Sequence, residues 1–392
     1  MRFFEKLARL RTSRVPSLPP KADPAARLNP PITGDIKRWC EDHEGSVYRV
    51  LAEPETIHCR PPRTLEPEVH PAFQPYFDRQ TPEKALLRIS NARLVGSNGL
   101  VILPDGTFVG QLIANGPEGW RTMLAKQPAY YSPLPPIHRK EGSYFSLMVI
   151  GWQNYYHWNH DVIIKLHWVL DHLPGDIRFI APPNLKPFHY DTLKLLGIRP
   201  DQLCYFQPDE LWEVESLYFV VPYPKPSMDT LEPLAWFKER SQSVYGVAPR
   251  RPFKRIFLSR LGDTHFRTVN ERPVARFLSA YGFETLHPGH MSFSEQVELF
   301  SSAEAVVGTG TGLFNMVFAS PGARILQLQE PTHMVLALWT LSEALGHSYW
   351  YLCADTVPNR DYPDADADLL VQIPKLKITL ANMLEETDST RA

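Results

Sequence analysis

Apolar and polar positions alternate along residues 85–114, ALLRISNARLVGSNGLVILPDGTFVGQLIA, and a period of two predicts β-strands. Ser97-Asn98-Gly99 and Pro104-Asp105-Gly106 supply the turns between them. After about residue 145 the period changes. Trp158, Val162, Leu166 and Val169 recur every three or four residues, which predicts a helix over about 155–172 that stops at Leu173-Pro174-Gly175. IRFIA then reads as a buried strand. A helix near 186–196, the strands LCYF and SLYFVVP, and a helix near 230–245 follow. Beyond them RIFLSR, FETLH, AVVGT, ARILQL and SYWYL are short apolar strands separated by helical patterns. One of these helices opens on the capping box Ser292 to Glu295. Strands alternating with helices of this length imply βαβ units and an α/β fold class. Two such runs, split near APRRPFKR, predict two facing Rossmann-like, doubly wound domains. The expected divisions are a Pro-rich extension at 1–85, a first domain with a β-rich start at 86–248, a second at 249–355, and a tail or helix at 356–392.

Composition narrows the class of partner. The 392 residues exceed the usual size of one domain, and 43% apolar with 21% charged residues is the balance of a soluble globular protein. A formal charge of −2 argues against nucleic acid, whose phosphates call for a basic excess. Of the thirty-eight prolines, thirteen crowd the first 85 residues and the rest punctuate later loops, so 15–85 reads as an arm or wrapping segment without a core of its own. Cys40, Cys59, Cys204 and Cys353 are widely spread, which fits reduced thiols better than a disulfide framework. The opening MRFFEKLARLRTSR lacks the apolar region of a secretory signal. It sets Phe3, Leu7 and Leu10 at helical spacing among basic residues, so 1–14 reads either as a solvated leader or as a peripheral contact with an anionic membrane.

Two stretches carry candidate chemistry. In AVVGTGTGLFNMVF, Gly308, Gly310 and Gly312 lie between a strand and a helix, where unpaired amides and the helix dipole favour an anion. Thr309 and Thr311 add hydroxyls. The spacing matches neither the dinucleotide fingerprint nor a Walker loop, and such a turn can also serve only to let a helix pack closely. Arg260 ends the strand RIFLSR, Arg267 lies seven residues on, and Glu330 follows ARILQL. In a parallel sheet these positions share the carboxyl edge, where guanidiniums suit a diphosphate and a carboxylate suits a ribose hydroxyl.

The second stretch is NYYHWNHD. Asn154 is a suitable N-cap, and His157 and Asp161, four apart, lie side by side on a flank about a quarter turn from the apolar stripe. That spacing sets them at the margin of the core. Three uses fit the residues. The pair can tie down the helix; His157, His160 and Asp161 can ligate a metal; or Asp161 can act as a general base oriented by His157, with the reverse assignment equally open.

Taken in order, these motifs resemble glycosyltransferase family 61. The likeness runs from about 88 to 352. It rests on Asn154 to Asp161, on Arg267-Thr-Val-Asn270-Glu271, on Gly282 to Glu284 with Ser292 to Gln296, and on Gly312 to Asn315. Many relatives carry His-Gly-Ala-Gly in the turn, where this chain has Val307-Gly308-Thr309-Gly310-Thr311-Gly312 and no histidine. The resemblance implies a GT-B fold and an inverting transfer, without a metal or other cofactor, from a nucleotide-sugar donor, UDP- or CMP-linked. The acceptor implied is a glycan or glycolipid of bacterial capsule or lipopolysaccharide. It implies Asp161 as base, and a donor site of Arg260, Arg267, Asn270, Thr309, Gly310, Thr311, Gly312, Asn315 and Glu330. Asn154, Tyr155 and His160 fall on the acceptor side. A cytoplasmic enzyme, peripheral at the inner membrane, is the expectation. The alternatives are a non-catalytic nucleotide- or carbohydrate-binding protein and a metal-dependent hydrolase.

Overall fold

The computed structural model describes residues 32–112, 134–221, 230–248, 250–263, 267–359 and 367–385, so the basic stretch 1–14 lies outside the described residues. The first strands in chain order are β1 (Ile32–Thr33), β2 (Val47–Ala52), β3 (Thr56–His58), β4 (Asp78–Gln80), β5 (Lys84–Val95), β6 (Leu100–Ile102) and β7 (Phe108–Val109). They are followed by β8 (Ile137–Ser146), β9 (Arg178–Ala181), β10 (Leu203–Tyr205) and β11 (Leu211–Val221). β12 (Lys254–Leu258), β13 (Phe283–Leu286), β14 (Ala303–Gly308), β15 (Arg324–Gln329) and β16 (Ser348–Cys353) form a second group. β17 (Asp355–Val357) pairs with β18 (Asp368–Leu370).

The first sheet runs β1-β7-β6-β5-β11-β8-β9-β10, with β2 also on β5. It is mixed, whereas a doubly wound sheet was expected. β11, β8, β9 and β10 are parallel, but β5 lies antiparallel to β11 from Ala85 opposite Val221 to Val95 opposite Leu211. The alternating segment is thus part of the same sheet. The second sheet is wholly parallel, in the order β13-β12-β14-β15-β16. The chain leaves β12 to one side for β13 and returns to the other side for β14. That reversal creates a crevice beyond the carboxyl ends of β12 and β14, the place where open α/β sheets collect ligands.

Residues 32–85 form no core of their own. β2 extends the first sheet, while 59–77 lie along the second. Arg63 exchanges backbone hydrogen bonds with Tyr349 and Tyr351 (3.1 and 3.0 Å), and the buried Phe73 ring meets Trp339 edge-on at 5.1 Å. Between the sheets one apolar layer joins Phe145, Trp158 and Phe179 of the first half to Val306, Phe314 and Trp339 of the second. Separate clusters cover each outer face.

The predicted helix at 155–172 is not regular. Tyr155–His157 is α-helical, Trp158–Ile163 is π-helical, and Ile164–Trp168 and Leu170–His172 are 3-10 turns. The Asn159 side-chain amide donates to Tyr155 O at 2.9 Å, competing for the acceptor of the regular ladder. The ladder then slips by one, and Ile164 N donates to Asn159 O. One consequence is that every residue from Trp158 to Leu166 is buried. Asp161 therefore lies inside the protein, not at the margin that α-helical phasing predicts.

Two buried histidines make the fold acid-sensitive. Burial pushes His189 down to about 4, against its hydrogen bonds with Trp152 O and Lys186, and pushes His347 down to about 4, against its bond to Met316 O. Both stay neutral when folded, whereas the unfolded chain takes up protons near pH 6.5. Their stabilisation is complete above that pH and is lost as pH falls toward 4, up to about 3 kcal/mol for each. The midpoint of denaturant unfolding is expected to fall between pH 7 and 4.5, and His347→Gln to remove roughly half of the slope assigned to the pair.

Candidate functional site

A cavity of about 650 Å³ opens at the crevice beyond β12 and β14. Arg260 enters it directly after β12. Its backbone N–H and the Ser259 hydroxyl both donate to Glu271 (2.8 and 2.5 Å), so a carboxylate at the start of the following helix fixes the turn. The guanidinium pairs through Nε with Asp263 at 2.9 Å. Burial pushes Arg260 below its usual range while Asp263 and Glu271 oppose the shift, and an arginine there remains a cation. Gly310 makes room for it. A Cβ at that position would lie 2.8 Å from Arg260 Nη1, and the backbone there has φ of +70°.

The glycine-rich turn leads from Gly308 into a 3-10 helix, Thr311–Phe318, where an α-helix was expected. Thr309, Thr311 and Gly312 line the cavity beside Arg260. Opposite them stand Asn154 and Tyr155 from the first half. Asn154 caps the helical stretch by accepting from Tyr156 N and His157 N (2.8 and 3.4 Å). The Tyr155 hydroxyl donates to Asn315 Oδ1 at 2.7 Å, and Asn315 Nδ2 donates to Gln296 Oε1 at 2.7 Å. Gln296 in turn donates to Met291 O at 3.2 Å. Burial pushes the Tyr155 hydroxyl far up, so it stays a donor. This chain of bonds joins three sequence motifs across the two halves, at the wall of the cavity.

One turn beyond Asn154, His157 Nδ1 lies 2.7 Å from Asp161 Oδ2, and His160 Nδ1 lies 2.6 Å from Oδ1. Both rings thus engage one carboxylate, with Asp161 fully enclosed and the His157 side chain 33% exposed. His157 Nε2 has no partner among the described residues. Burial alone would raise the Asp161 carboxyl. Hydrogen bonds from His157 and His160, and their charges, outweigh it and hold the group below the ordinary carboxylate range. Lys165, also buried, is pushed down to about 8 by burial against the Asp161 charge. His160 is buried, stacks on Tyr156 at 4.9 Å and does not line the cavity. Among the described residues no group of three His, Cys, Asp or Glu side chains is placed to hold a metal.

Three expected donor contacts lie elsewhere. Arg267 grips Asp368 through Nε and Nη2 (3.0 and 2.6 Å) and reaches Asn359 at 3.0 Å. Asn270 exchanges hydrogen bonds with Val371 (2.8 and 3.0 Å). A parallel bridge between Thr268 and Leu369 draws this loop to β18, so both residues fasten the C-terminal segment and do not line the cavity. Glu330 accepts from Thr332 at 2.6 Å and lies outside the lining. Conversely, Lys186, Asp263, His287 and His290 line the cavity although nothing in the sequence reading singled them out. His287 ends the stretch FETLH and His290 follows it, and the strand-end rule that nominated Arg260 points to them equally. Glu271 and Gln296 stood in quoted motifs without an assigned part.

Residues 155–326 match a family model described as Glycosyltransferase 61. The match begins at Tyr155 and takes in Asp161, Arg260, the glycine-rich turn and Asn315. No curated protein matches the chain.

Proposed function

We propose, from the likeness of residues 155–326 to the family model described as Glycosyltransferase 61, that the protein transfers a sugar from a nucleotide-sugar donor held in the crevice beyond β12 and β14. The transfer is a single displacement with inversion, on a GT-B arrangement of the two halves. The observation that carries the reading is the cavity itself. It sets a cation and the amides of a glycine-rich turn against the start of the helical stretch that bears His157. A departing nucleoside phosphate is an anion, and a half-buried guanidinium with preorganised amides stabilises the charge as it develops. From the helical stretch that starts at the cavity wall, His157, itself outside the lining, takes the proton of the acceptor hydroxyl at Nε2. Asp161 holds the proton on Nδ1 and offsets the positive charge that forms. Asp161 itself presents no surface to an acceptor, and a carboxyl held below its ordinary range is a weak base. In this reading it orients the base.

The test is a panel of UDP-, GDP-, CMP- and dTDP-sugars. At least one is expected to raise the melting temperature by about 5 °C at saturating concentration and to be hydrolysed slowly without acceptor. Stabilisation by none of them sinks the donor reading, and stabilisation without any turnover leaves only a binding protein.

A further inference from the structure

His290 stands on a built support. Its ring stacks on His287 with centroids 4.1 Å apart and planes 11° from parallel. His287 Nε2 faces Asp263 Oδ1 at 3.5 Å, and the other oxygen of that carboxylate holds Arg260 Nε at 2.9 Å. One carboxylate therefore braces both the guanidinium and the imidazole stack. Gly289 permits the fold-back, because a Cβ there would lie 2.9 Å from His287 Cε1. Both histidines line the cavity, and neither ring nitrogen of His290 has a partner among the described residues. The sheet order β13-β12-β14 sets three neighbouring strand ends around one space, giving in turn His290, Arg260 and the glycine-rich turn. Among the described residues, the only carboxylate in that wall, Asp263, is already engaged with Arg260 and His287, which leaves the wall receptive to an anion.

We infer that His290 is a further binding residue of this site, its imidazole donating a hydrogen bond to a phosphate of the donor next to Arg260. The inference rests on the donor reading above. His287 serves as the surface on which His290 is stacked, and Asp263 fixes that surface to the arginine.

Calorimetric titration of the full chain with inorganic pyrophosphate, and with UDP, GDP, CDP and dTDP, tests it. The wild type is expected to bind pyrophosphate and at least one nucleotide. His290→Ala and His290→Phe are each expected to weaken that binding by about tenfold, the worth of one charge-assisted hydrogen bond. Because His290 is exposed, their melting temperatures should stay at the wild-type value. The phenylalanine keeps the stacking and removes the nitrogens, so wild-type affinity in His290→Phe overturns the inference while leaving the donor site standing. A wild type that binds neither pyrophosphate nor any nucleotide overturns the donor reading, and this inference with it.

Discussion

Replacing His157 with alanine is expected to lower the turnover number for sugar transfer by about 10³-fold, in the middle of the range for general acid–base groups, with nucleotide affinity unchanged. Three features of the site set this expectation. The His157 ring is the part of the triad that reaches solvent, since Asp161 is fully enclosed and His160 is buried under Tyr156. Its Nδ1 is engaged at 2.7 Å, which leaves Nε2 to meet a substrate proton. The donor contacts come from other elements, so the loss should appear in turnover and not in binding. Asp161→Asn gives a second, sharper reading. An amide can donate to Nδ1, which drives the ring proton to Nε2 and blocks it as a base while the ring stays in place. Initial rates with saturating donor, alongside calorimetric nucleotide affinities, separate these effects. Transfer within tenfold of wild type in His157→Ala removes the histidine from the mechanism.

Local pattern showed much of this fold, and the places where it failed have a common cause. Alternating residues at 85–109 and the short apolar runs after 254 became strands because each carries its burial pattern in its own sequence. β8 is different. Its first half is exposed, and it is held as a strand by the parallel ladder from Ile137 opposite Leu211 to Phe145 opposite Tyr218. No local period reveals such a pairing. The mixed character of the first sheet was hidden for the same reason, since β5 finds β11 more than a hundred residues away. Around His157 the four-residue spacing did place two interacting groups together, but the side-chain amide of Asn159 shifted the helical phase and took Asp161 inside. Arg260 and the glycine-rich turn were readable because strand ends in a parallel sheet share an edge. Arg267 and Asn270 were not, because the groups that claim them, Asp368 and Val371, follow a hundred residues later.

Arg260→Ala should reduce catalytic efficiency by about 10²–10³-fold, comparable to removing one preorganised donor from a charge-stabilising site, and here the loss should include donor binding. Removing the guanidinium takes a cation from beside the glycine-rich turn. It also leaves the Asp263 carboxylate without its closest partner, held at the edge of a cavity meant to receive an anion. Two effects of the same sign then add. Their separation is itself a test. In Arg260→Ala/Asp263→Ala the stranded charge is gone, so the double variant should bind nucleotide better than Arg260→Ala alone, a coupling that independent sites do not show. Arg260→Lys keeps the charge but loses the planar fork, and should recover only part of the affinity. Gly310→Val reaches the same end from the opposite wall. Its Cβ would stand 2.8 Å from Arg260 Nη1 on a backbone with φ of +70°, so the arginine must leave its place. Nucleotide affinity that is unchanged in Arg260→Ala, with the variant folded, shows that the cavity beyond β12 and β14 is not where the leaving group is held.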